Sequence, residues 1–327
     1  MKGLFQLLFQ PHPAQRTASN DEIFVQDTPE ESQVSDGPPV VFPDLVITEF
    51  DQLPLATSDF STLHLGVYRK EDGVKLKVVV KSIHWDYSRS NEELELAKNA
   101  YLKRSAAWLK LAHPNVLPFL GSYTSEITGV LPASVVPYCE NNTIMRYLRR
   151  RTDVARLPLI IGIAKGLEYL HKGGVIHGCL TTANILILDD GTPAITDLGR
   201  SGIVESTGHT TRAGGRSRWL PPEYLYEGYS KSRSKAGDVY TFALTMLTVI
   251  TSKSPYLSLF KDRTEAYGIL TIARGAASLQ RDDYPEMDDK LWAIGEKCWN
   301  SQRHARTDIT TTLEGLEALL EPQIVMK

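Results

Sequence analysis

The chain has few cysteines and no excess of positive charge. It holds three cysteines, Cys139, Cys179 and Cys298, in 327 residues. They lie far apart with no CxxC pair, which argues against a disulfide framework or a thiolate metal site and suits a reducing compartment. The formal net charge is -3, so no broad positive field is available for nucleic acid or an anionic membrane. We therefore expect a cytoplasmic protein without a polynucleotide partner.

Long apolar runs are also missing. The longest internal one, "VYTFALTMLTVI" at 239–250, is too short and too rich in threonine to cross a bilayer, and we interpret it as a buried helix. The N-terminal "MKGLFQLLF" is interrupted by Gln6 and is followed by "QPHPAQR" instead of a small-residue cleavage site. Neither segment predicts a membrane span or secretion.

The pattern of residues divides the chain into three parts. Residues 1–43 are rich in Pro, Ser, Gln, Asp and Glu without periodicity, which predicts a disordered tail because such a segment buries too little apolar surface to offset its ordering entropy. Residues 44–138 hold β-branched or alternating segments such as "KLKVVVKSI", with one helical pattern at about 92–111. Residues 139–320 are mainly helical. We predict an α+β domain over 44–320 with two lobes.

Seven short motifs follow one another along these two lobes. They are "VVVK" at 78–81, "HPNVLPFLG" at 113–121, "HGCLTTANIL" from His177, "TDLG" at 196–199, "RWLPPE" at 218–223, "GDVYTFA" at 237–243 and "CWN" at 298–300 followed by Arg306. In this order the chain resembles the eukaryotic protein kinases, and specifically their tyrosine-kinase-like group, over about residues 50–318. The resemblance implies the bilobal kinase fold, in which a small antiparallel β-rich lobe carries one main helix and the larger lobe is helical.

The resemblance also implies a nucleotide site. In the family, a strand lysine contacts the α and β phosphates, while an asparagine and an aspartate hold the metal ions. ATP and Mg²⁺, bound weakly, are therefore the expected cofactors. The positions that match nucleotide-binding residues are Lys81, Val67, Pro137, Cys139, Asn184 and Asp197, of which the last two match the metal ligands. Lys81, Asn184 and Asp197 taken alone would equally suit a strand-end lysine, a turn asparagine and a helix-capping aspartate.

Four further positions match architectural residues of the family. His177 matches a histidine that packs and orients the catalytic loop, so we do not interpret it as a base. Glu223 and Arg306 match a buried ion pair that ties the activation segment to the last helices. Asp238 matches a helix residue that accepts hydrogen bonds from the backbone of the catalytic loop.

The first departure from the family is Cys179, which stands where relatives carry the catalytic aspartate. A thiol with an ordinary pKa near ~8.5 is only a few per cent ionised at neutral pH and cannot replace a carboxylate. Thr181 stands where relatives often carry a lysine directed at the transferred phosphate. A small packed cysteine is the preferred interpretation over a reactive thiol.

The second departure concerns the partner of the strand lysine. Nine residues before His113, where relatives carry a glutamate, the sequence has Arg104. The nearest upstream acid, Glu95, lies nine residues earlier, or ~13 Å along a helix axis, which is too far to substitute. Arg104 then either faces Lys81 and repels it or points to solvent.

The third departure is the loop that covers the phosphates in kinases. Val67 precedes Lys81 by fourteen residues, an interval that predicts the family's glycines at Phe60, Thr62 and Leu65, where none is present. Without these glycines the backbone cannot approach the phosphates as closely.

Regulation through the activation segment is also altered. Gly178 replaces an arginine that senses phosphate on this segment in many kinases. The run "STGHTTRAGGRSR" at 206–218 offers hydroxyls and arginines, either as a solvated loop or as a phosphosite.

These departures fall on catalysis, whereas the motifs of the fold are retained. We therefore predict a pseudokinase that binds nucleotide weakly and serves as a scaffold or allosteric partner of an unknown protein. The alternative is an active Ser/Thr protein kinase that uses atypical chemistry.

Overall fold

A computed structural model describes most of the predicted domain. The residues it describes belong to one compact unit, Val34–Lys327, and are 45–51, 53–58, 60–198, 217–227 and 232–320. The predicted tail, 1–43, lies outside them, as does the run 206–218 except for Ser217 and Arg218.

The first lobe is built on one antiparallel sheet of six strands. The strand order is β1-β3-β4-β6-β5, and β2 pairs with β3. The segment "KLKVVVKSI", which the sequence analysis gives as a β pattern, forms one of these strands. The strands are β1 (Ile47–Phe50), β2 (Ala56–Thr57), β3 (Ser61–Arg69), β4 (Lys75–Ile83), β5 (Gly121–Tyr123) and β6 (Ala133–Pro137).

The helical pattern of the first lobe forms helix α1, Asn91–Leu109. Its start is set by a capping box, in which the N–H of Glu93 donates to the Ser90 hydroxyl at 3.2 Å and the Ser90 N–H donates to the Glu93 carboxylate at 3.0 Å. The helix buries Tyr101, Ser105 and Trp108 on one face. These contacts fix the rotation of α1 against the sheet.

The second lobe contains eight helices among the residues described. Two strands, β7 (Ile185–Ile187) and β8 (Pro193–Ile195), form a small antiparallel sheet between α3 and α4 along the chain. The helices are α2 (Ile144–Arg150), α3 (Arg156–Lys172), α4 (Pro222–Tyr226), α5 (Lys235–Thr251), α6 (Leu257–Lys261), α7 (Glu265–Ala273), α8 (Asp289–Cys298) and α9 (Ile309–Glu317). The α+β prediction is confirmed.

Helix α5 forms the centre of the second lobe. The apolar run at 239–250 lies within it, and nearly all its side chains are buried, so the prediction of a buried helix is confirmed. Helix α3 packs against it through Ile160, Ile163 and Leu167, which share one helical face and are fully buried. Among the described residues, no helix is long and apolar enough to cross a membrane.

A buried ion pair joins the short helix α4 to the end of the domain. Arg306 and Glu223 meet in two parallel hydrogen bonds of 2.6 and 2.8 Å, and the guanidinium also donates to the carbonyls of Asn300 and Ala236. The Arg306 side chain is fully buried. Such a pair is costly to break, because the remaining charge loses its partner in a region without water.

Replacement of one member of this pair tests its role. Arg306→Ala should lower the free energy of unfolding by about 3–5 kcal/mol, because Glu223 would be left buried without a counter-ion. Lys75→Ala is the matched control, since Lys75 forms an exposed pair with Glu49 and should cost far less. Chemical denaturation of both variants checks this, and equal losses would contradict it.

Acid should weaken the fold through its buried histidines. Burial lowers the pKa of His64, His113 and His177 below the ordinary value of 6.5. As the pH falls through 6.5 the unfolded chain therefore binds protons that the folded chain does not, and the free energy of unfolding should fall from about pH 7.5 to about pH 5.5.

His64 is the histidine that tests this most directly. It is buried beside the ring of Phe50, and its Nδ1 has no hydrogen-bond partner in the part of the chain that the structure describes. His64→Phe should therefore raise the free energy of unfolding by about 1–3 kcal/mol and make its dependence on pH shallower. A pH dependence as steep as that of the unmodified protein would contradict this assignment.

Candidate nucleotide cleft and catalytic loop

A cleft between the sheet and the second lobe collects most of the predicted nucleotide-binding residues. It contains about 730 Å³ of space, including open solvent at its mouth, a size typical of small-molecule sites. The described residues of its walls are mostly apolar, with one cation and one carboxylate at one end. Residues lining it include Leu55, Leu63, Val79, Lys81, Val136, Pro137, Cys139, Leu186 and Asp197.

The segment that connects the lobes offers a hydrogen-bond donor to the cleft. Cys139 is 6% exposed, and within the described residues its backbone N–H takes part in no hydrogen bond. A buried N–H without a partner is unfavourable, so a ligand acceptor at this point would be stabilised. Burial raises the pKa of the Cys139 thiol to about 11, so its side chain is a neutral, apolar surface. This part of the cleft thus combines an apolar surface with one backbone donor.

The charged end of the cleft is an ion pair between Lys81 and Asp197. Lys81 Nζ donates to Oδ1 of Asp197 at 2.5 Å and also contacts Oδ2. Asp197 adopts a left-handed backbone conformation with φ of 66°, which is uncommon outside glycine and occurs at functional sites. The side chains of the pair are 18% and 9% exposed. Lys81 therefore has a carboxylate partner, but one from the second lobe.

Arg104 lies in a pocket behind this ion pair. The pocket is lined by Lys81 and Asp197 together with Arg104, Tyr101 and Ser134. Nη1 of Arg104 is shielded from solvent. Of the two alternatives for Arg104, the structure thus supports the one in which it faces the strand lysine.

The position of Val67 requires a correction. Val67 pairs with Lys77 and Glu49 near the far end of β3 and is not among the residues that line the cleft. The residue opposite Lys81 is Leu63, which does line it. The interval of fourteen residues was misleading because the β3–β4 hairpin here is long.

This strand register also changes which residues form the covering loop. The described residues 56–58 and 60–63 belong to the hairpin of β2 and β3, so Thr62 and Leu65 are strand residues and not loop positions. The Ser58 hydroxyl accepts hydrogen bonds from the N–H groups of Phe60 and Ser61 at 3.4 and 3.2 Å. Gly66 serves strand packing, because a Cβ atom there would lie 2.7 Å from Cγ2 of Ile47. The loop thus has no glycine, and its backbone N–H groups donate to a serine side chain.

The catalytic loop is held by a carboxylate of helix α5. Asp238 accepts hydrogen bonds from the N–H groups of His177 and Gly178 at 2.8 and 2.6 Å and from His171 at 3.0 Å. Although burial opposes ionisation, the hydrogen bond and the charge of His171 keep the pKa of the Asp238 carboxyl below its ordinary value. The carboxylate is therefore ionised at neutral pH and anchors the loop.

His177 connects this loop to the residue before Asp197. Its Nδ1 accepts from the Cys179 N–H at 3.1 Å, so Nε2 carries the proton and donates to the Thr196 carbonyl at 2.9 Å. Burial lowers the pKa of His177. With both ring nitrogens engaged in the interior, His177 is a structural residue.

Cys179 and Asn184 are joined through the loop backbone. The Asn184 amide donates to the Cys179 carbonyl at 2.8 Å, which leaves the Asn184 side-chain oxygen as an acceptor. Cys179 is half-buried, whereas Thr181 is buried. The backbone of the loop is thus well ordered around a position that lacks a carboxylate.

The residues expected to hold Mg²⁺ fit it poorly. Both carboxylate oxygens of Asp197 contact Lys81, and Asn184, the other residue expected to hold the ion, is not among the residues that line the cleft. No cluster of three or more histidine, cysteine or acidic side chains suited to a metal occurs among the described residues. The lining of the cleft therefore fits a nucleotide better than it fits a metal ion.

Comparison with known proteins agrees with this geometry. Serine/threonine-protein kinase STY46 of Arabidopsis thaliana is 24% identical over 270 residues, which cover 81% of this chain and 43% of that protein. Serine/threonine/tyrosine-protein kinase HT1 of the same plant is 23% identical, with 80% and 64% covered. A leucine-rich repeat receptor protein kinase, MSP1 of Oryza sativa subsp. japonica, is 29% identical, with 63% and 16% covered.

The chain spans less than two thirds of the length of each of these three relatives. The family model described as protein tyrosine and serine/threonine kinase matches residues 51–316, which include both lobes, the cleft and the catalytic loop. On this match and the bilobal architecture, the chain belongs to the protein kinase family.

Proposed function

We propose that this kinase domain binds a nucleotide in its cleft, is impaired in phosphoryl transfer, and acts as a scaffold or allosteric regulator of a signalling protein. The observation that carries the proposal is the ion pair between Lys81 and Asp197, with Arg104 beside it where relatives carry a glutamate. The cleft retains its apolar walls and the hinge donor of Cys139, whereas the groups that act on the phosphates are rearranged or replaced.

Phosphoryl transfer depends on placing the phosphates and neutralising their charge, and the protein contributes little covalent chemistry. A bound nucleotide would supply the phosphoryl group. Lys81 reaches phosphate only by leaving Asp197, since its ammonium group contacts both carboxylate oxygens. Cys179 offers no carboxylate to accept or orient a substrate hydroxyl. Impairment therefore has at least two independent causes.

The covering loop adds a third cause. The N–H groups of Phe60 and Ser61 are directed to the Ser58 hydroxyl. Phosphate oxygens would have to compete with this hydroxyl. Side chains at Ala56, Ser58 and Ser61 also keep the backbone further from a ligand than glycine would. We expect weak binding and poor alignment of the terminal phosphate.

An active Ser/Thr kinase is the alternative function. It is favoured by the ordered backbone around Cys179, in which Asn184 and His177 make well-defined hydrogen bonds. Such a site would still need a base from elsewhere, for example from the substrate, and Lys81 would have to leave Asp197. The names of the relatives, which are serine/threonine or serine/threonine/tyrosine kinases, agree with a hydroxyl-bearing protein substrate in that case.

The cysteines support a reducing compartment for either function. Cys139, Cys179 and Cys298 are free thiols, and two of them are buried. Unpaired cysteines in a chain of this size are typical of the cytoplasm. We infer that the partner or substrate is a cytoplasmic protein.

Nucleotide binding should raise the unfolding temperature. A ligand that binds only the folded state stabilises it by RT ln(1 + [L]/Kd), about 2.7 kcal/mol at a hundredfold excess. Because the covering loop should make binding weak, the stabilisation at about 10 mM ATP should be smaller than about 2.7 kcal/mol. Thermal melts should be run with Mg²⁺, with Mn²⁺ and with a chelator.

Lys81→Ala should abolish the shift, whereas Lys75→Ala should retain it, because Lys75 lies on the same strand but is exposed. Absence of a shift under all three conditions, or an unchanged shift in Lys81→Ala, would rule out binding in this cleft.

Activity should return only when several defects are repaired together. General base catalysis contributes ~10² to 10⁴-fold, so Cys179→Asp alone should remain far below the ~1 to 100 s⁻¹ of ordinary kinases. Adding Arg104→Glu should raise the rate by more than the product of the single effects, because both residues act on one constellation. Cys179→Asn, which has the shape of aspartate without its charge, is the control and should show no gain.

The measurement is transfer of labelled phosphate from ATP to a generic protein substrate. A rate near ~1 s⁻¹ in Cys179→Asp alone would show that the lysine site and the loop are already competent. The same rate in the unmodified protein would establish the active kinase instead.

A further inference from the structure

The pocket behind the Lys81–Asp197 ion pair has an unusual balance of charge. Of the described residues that line it, two are cations, Lys81 and Arg104, and one is a carboxylate, Asp197. A glutamate at position 104 would give two carboxylates and one cation. The lining thus differs by two units of charge from that of a kinase with the usual glutamate.

The packing of helix α1 holds Arg104 in this pocket. The Tyr101 hydroxyl lies 3.1 and 3.3 Å from the hydroxyls of Ser122 and Ser134 in the sheet. About two turns further on, Trp108 Nε1 donates to the Leu117 carbonyl at 2.8 Å. With both neighbouring turns attached, the helix backbone that carries Arg104 is fixed against the sheet beside this pocket.

This charge balance disfavours a divalent cation and favours an anion. A metal ion at Asp197 would displace Lys81 and would then lie near two cations in a partly desolvated pocket, where like charges repel strongly. An anion entering the cleft would instead reduce the excess positive charge. Arg104, whose guanidinium is always protonated, would stay beside Asp197 while the more flexible Lys81 turned to the anion.

We propose that the cleft binds the polyphosphate group of a nucleotide as the free anion, without a divalent cation, with Arg104 in the place that the metal's charge fills in other kinases. This inference rests on the proposed nucleotide binding and specifies its chemistry. Lys81 exchanges Asp197 for the phosphates, and Arg104 is the positioning residue that neutralises Asp197 when this happens. The sequence alone favours Mg²⁺ on Asn184 and Asp197. The two hypotheses therefore differ in whether Mg²⁺ changes the affinity for ATP.

The property is the coupling between metal and nucleotide. The full chain should be titrated with ATP by calorimetry, once with excess Mg²⁺ and once with EDTA. The dissociation constants should agree within about threefold, which corresponds to almost no coupling. In Arg104→Glu, Mg²⁺ should tighten ATP binding by about tenfold or more, because the variant restores the second carboxylate.

Lys103→Glu is the matched control. Lys103 is the neighbouring residue on the same helix, is exposed, and undergoes the same change of charge. Its ATP binding should remain independent of Mg²⁺. If Lys103→Glu gained the same dependence as Arg104→Glu, the effect would reflect overall charge and the proposal would be wrong.

The outcomes separate this inference from the proposed function. Absence of ATP binding with and without Mg²⁺ would overturn nucleotide binding itself. ATP binding that requires Mg²⁺ in the unmodified protein would leave nucleotide binding intact and overturn the metal-free mode. Arg104→Gln removes the charge with less disturbance and tests the proposal even if Arg104→Glu fails to fold. Its ATP binding should depend on Mg²⁺ more than that of the unmodified protein, and an unchanged dependence would contradict the role of Arg104.

Discussion

The arrangement of the cleft depends on the buried carboxylate of Asp238. It is the point at which the central helix of the second lobe holds the catalytic loop, through the N–H groups of His177 and Gly178. His177 in turn donates to the carbonyl of Thr196, the residue before Asp197. The ionised carboxylate of Asp238 therefore helps to set the position of Asp197, and the neutral His177 is the link between them. A buried charge of this kind is tolerated only because hydrogen bonds satisfy it.

The structure separates the parts of a kinase that maintain the fold from those that act on phosphate. The first set is complete: the Arg306–Glu223 pair, the Asp238 anchor and the apolar cleft are all formed. The second set has changed in a connected way. With Arg104 in place of a glutamate, Asp197 carries the only carboxylate that lines the pocket around Lys81 among the residues the structure describes, and Lys81 and Asp197 pair. A change on the helix of the first lobe thus alters the group that relatives use to hold metal.

In the covering loop, backbone N–H groups donate to a side chain of the loop itself. Ser58 satisfies two N–H groups of its own hairpin, as serine side chains commonly do in turns. This stabilises the closed hairpin without a ligand. The same N–H groups are then less available to phosphate, so local stability and ligand binding compete for one set of donors.

The sequence by itself determined the family, the α+β class, the buried helix at the centre of the second lobe, and the chemistry missing at Cys179. The family follows from the resemblance of seven ordered motifs, the α+β class from hydrophobic periodicities of two and 3.6, and the missing chemistry from the identity of residue 179. It placed the covering loop wrongly at Phe60, Thr62 and Leu65, with Val67 beside it, because the length of a hairpin sets strand register and a fixed interval ignores it. Only the tertiary structure decided that Arg104 lines the pocket behind the ion pair and that Lys81 pairs with Asp197. Those two residues are 116 positions apart, and their contact depends on how the two lobes pack, which no local pattern encodes.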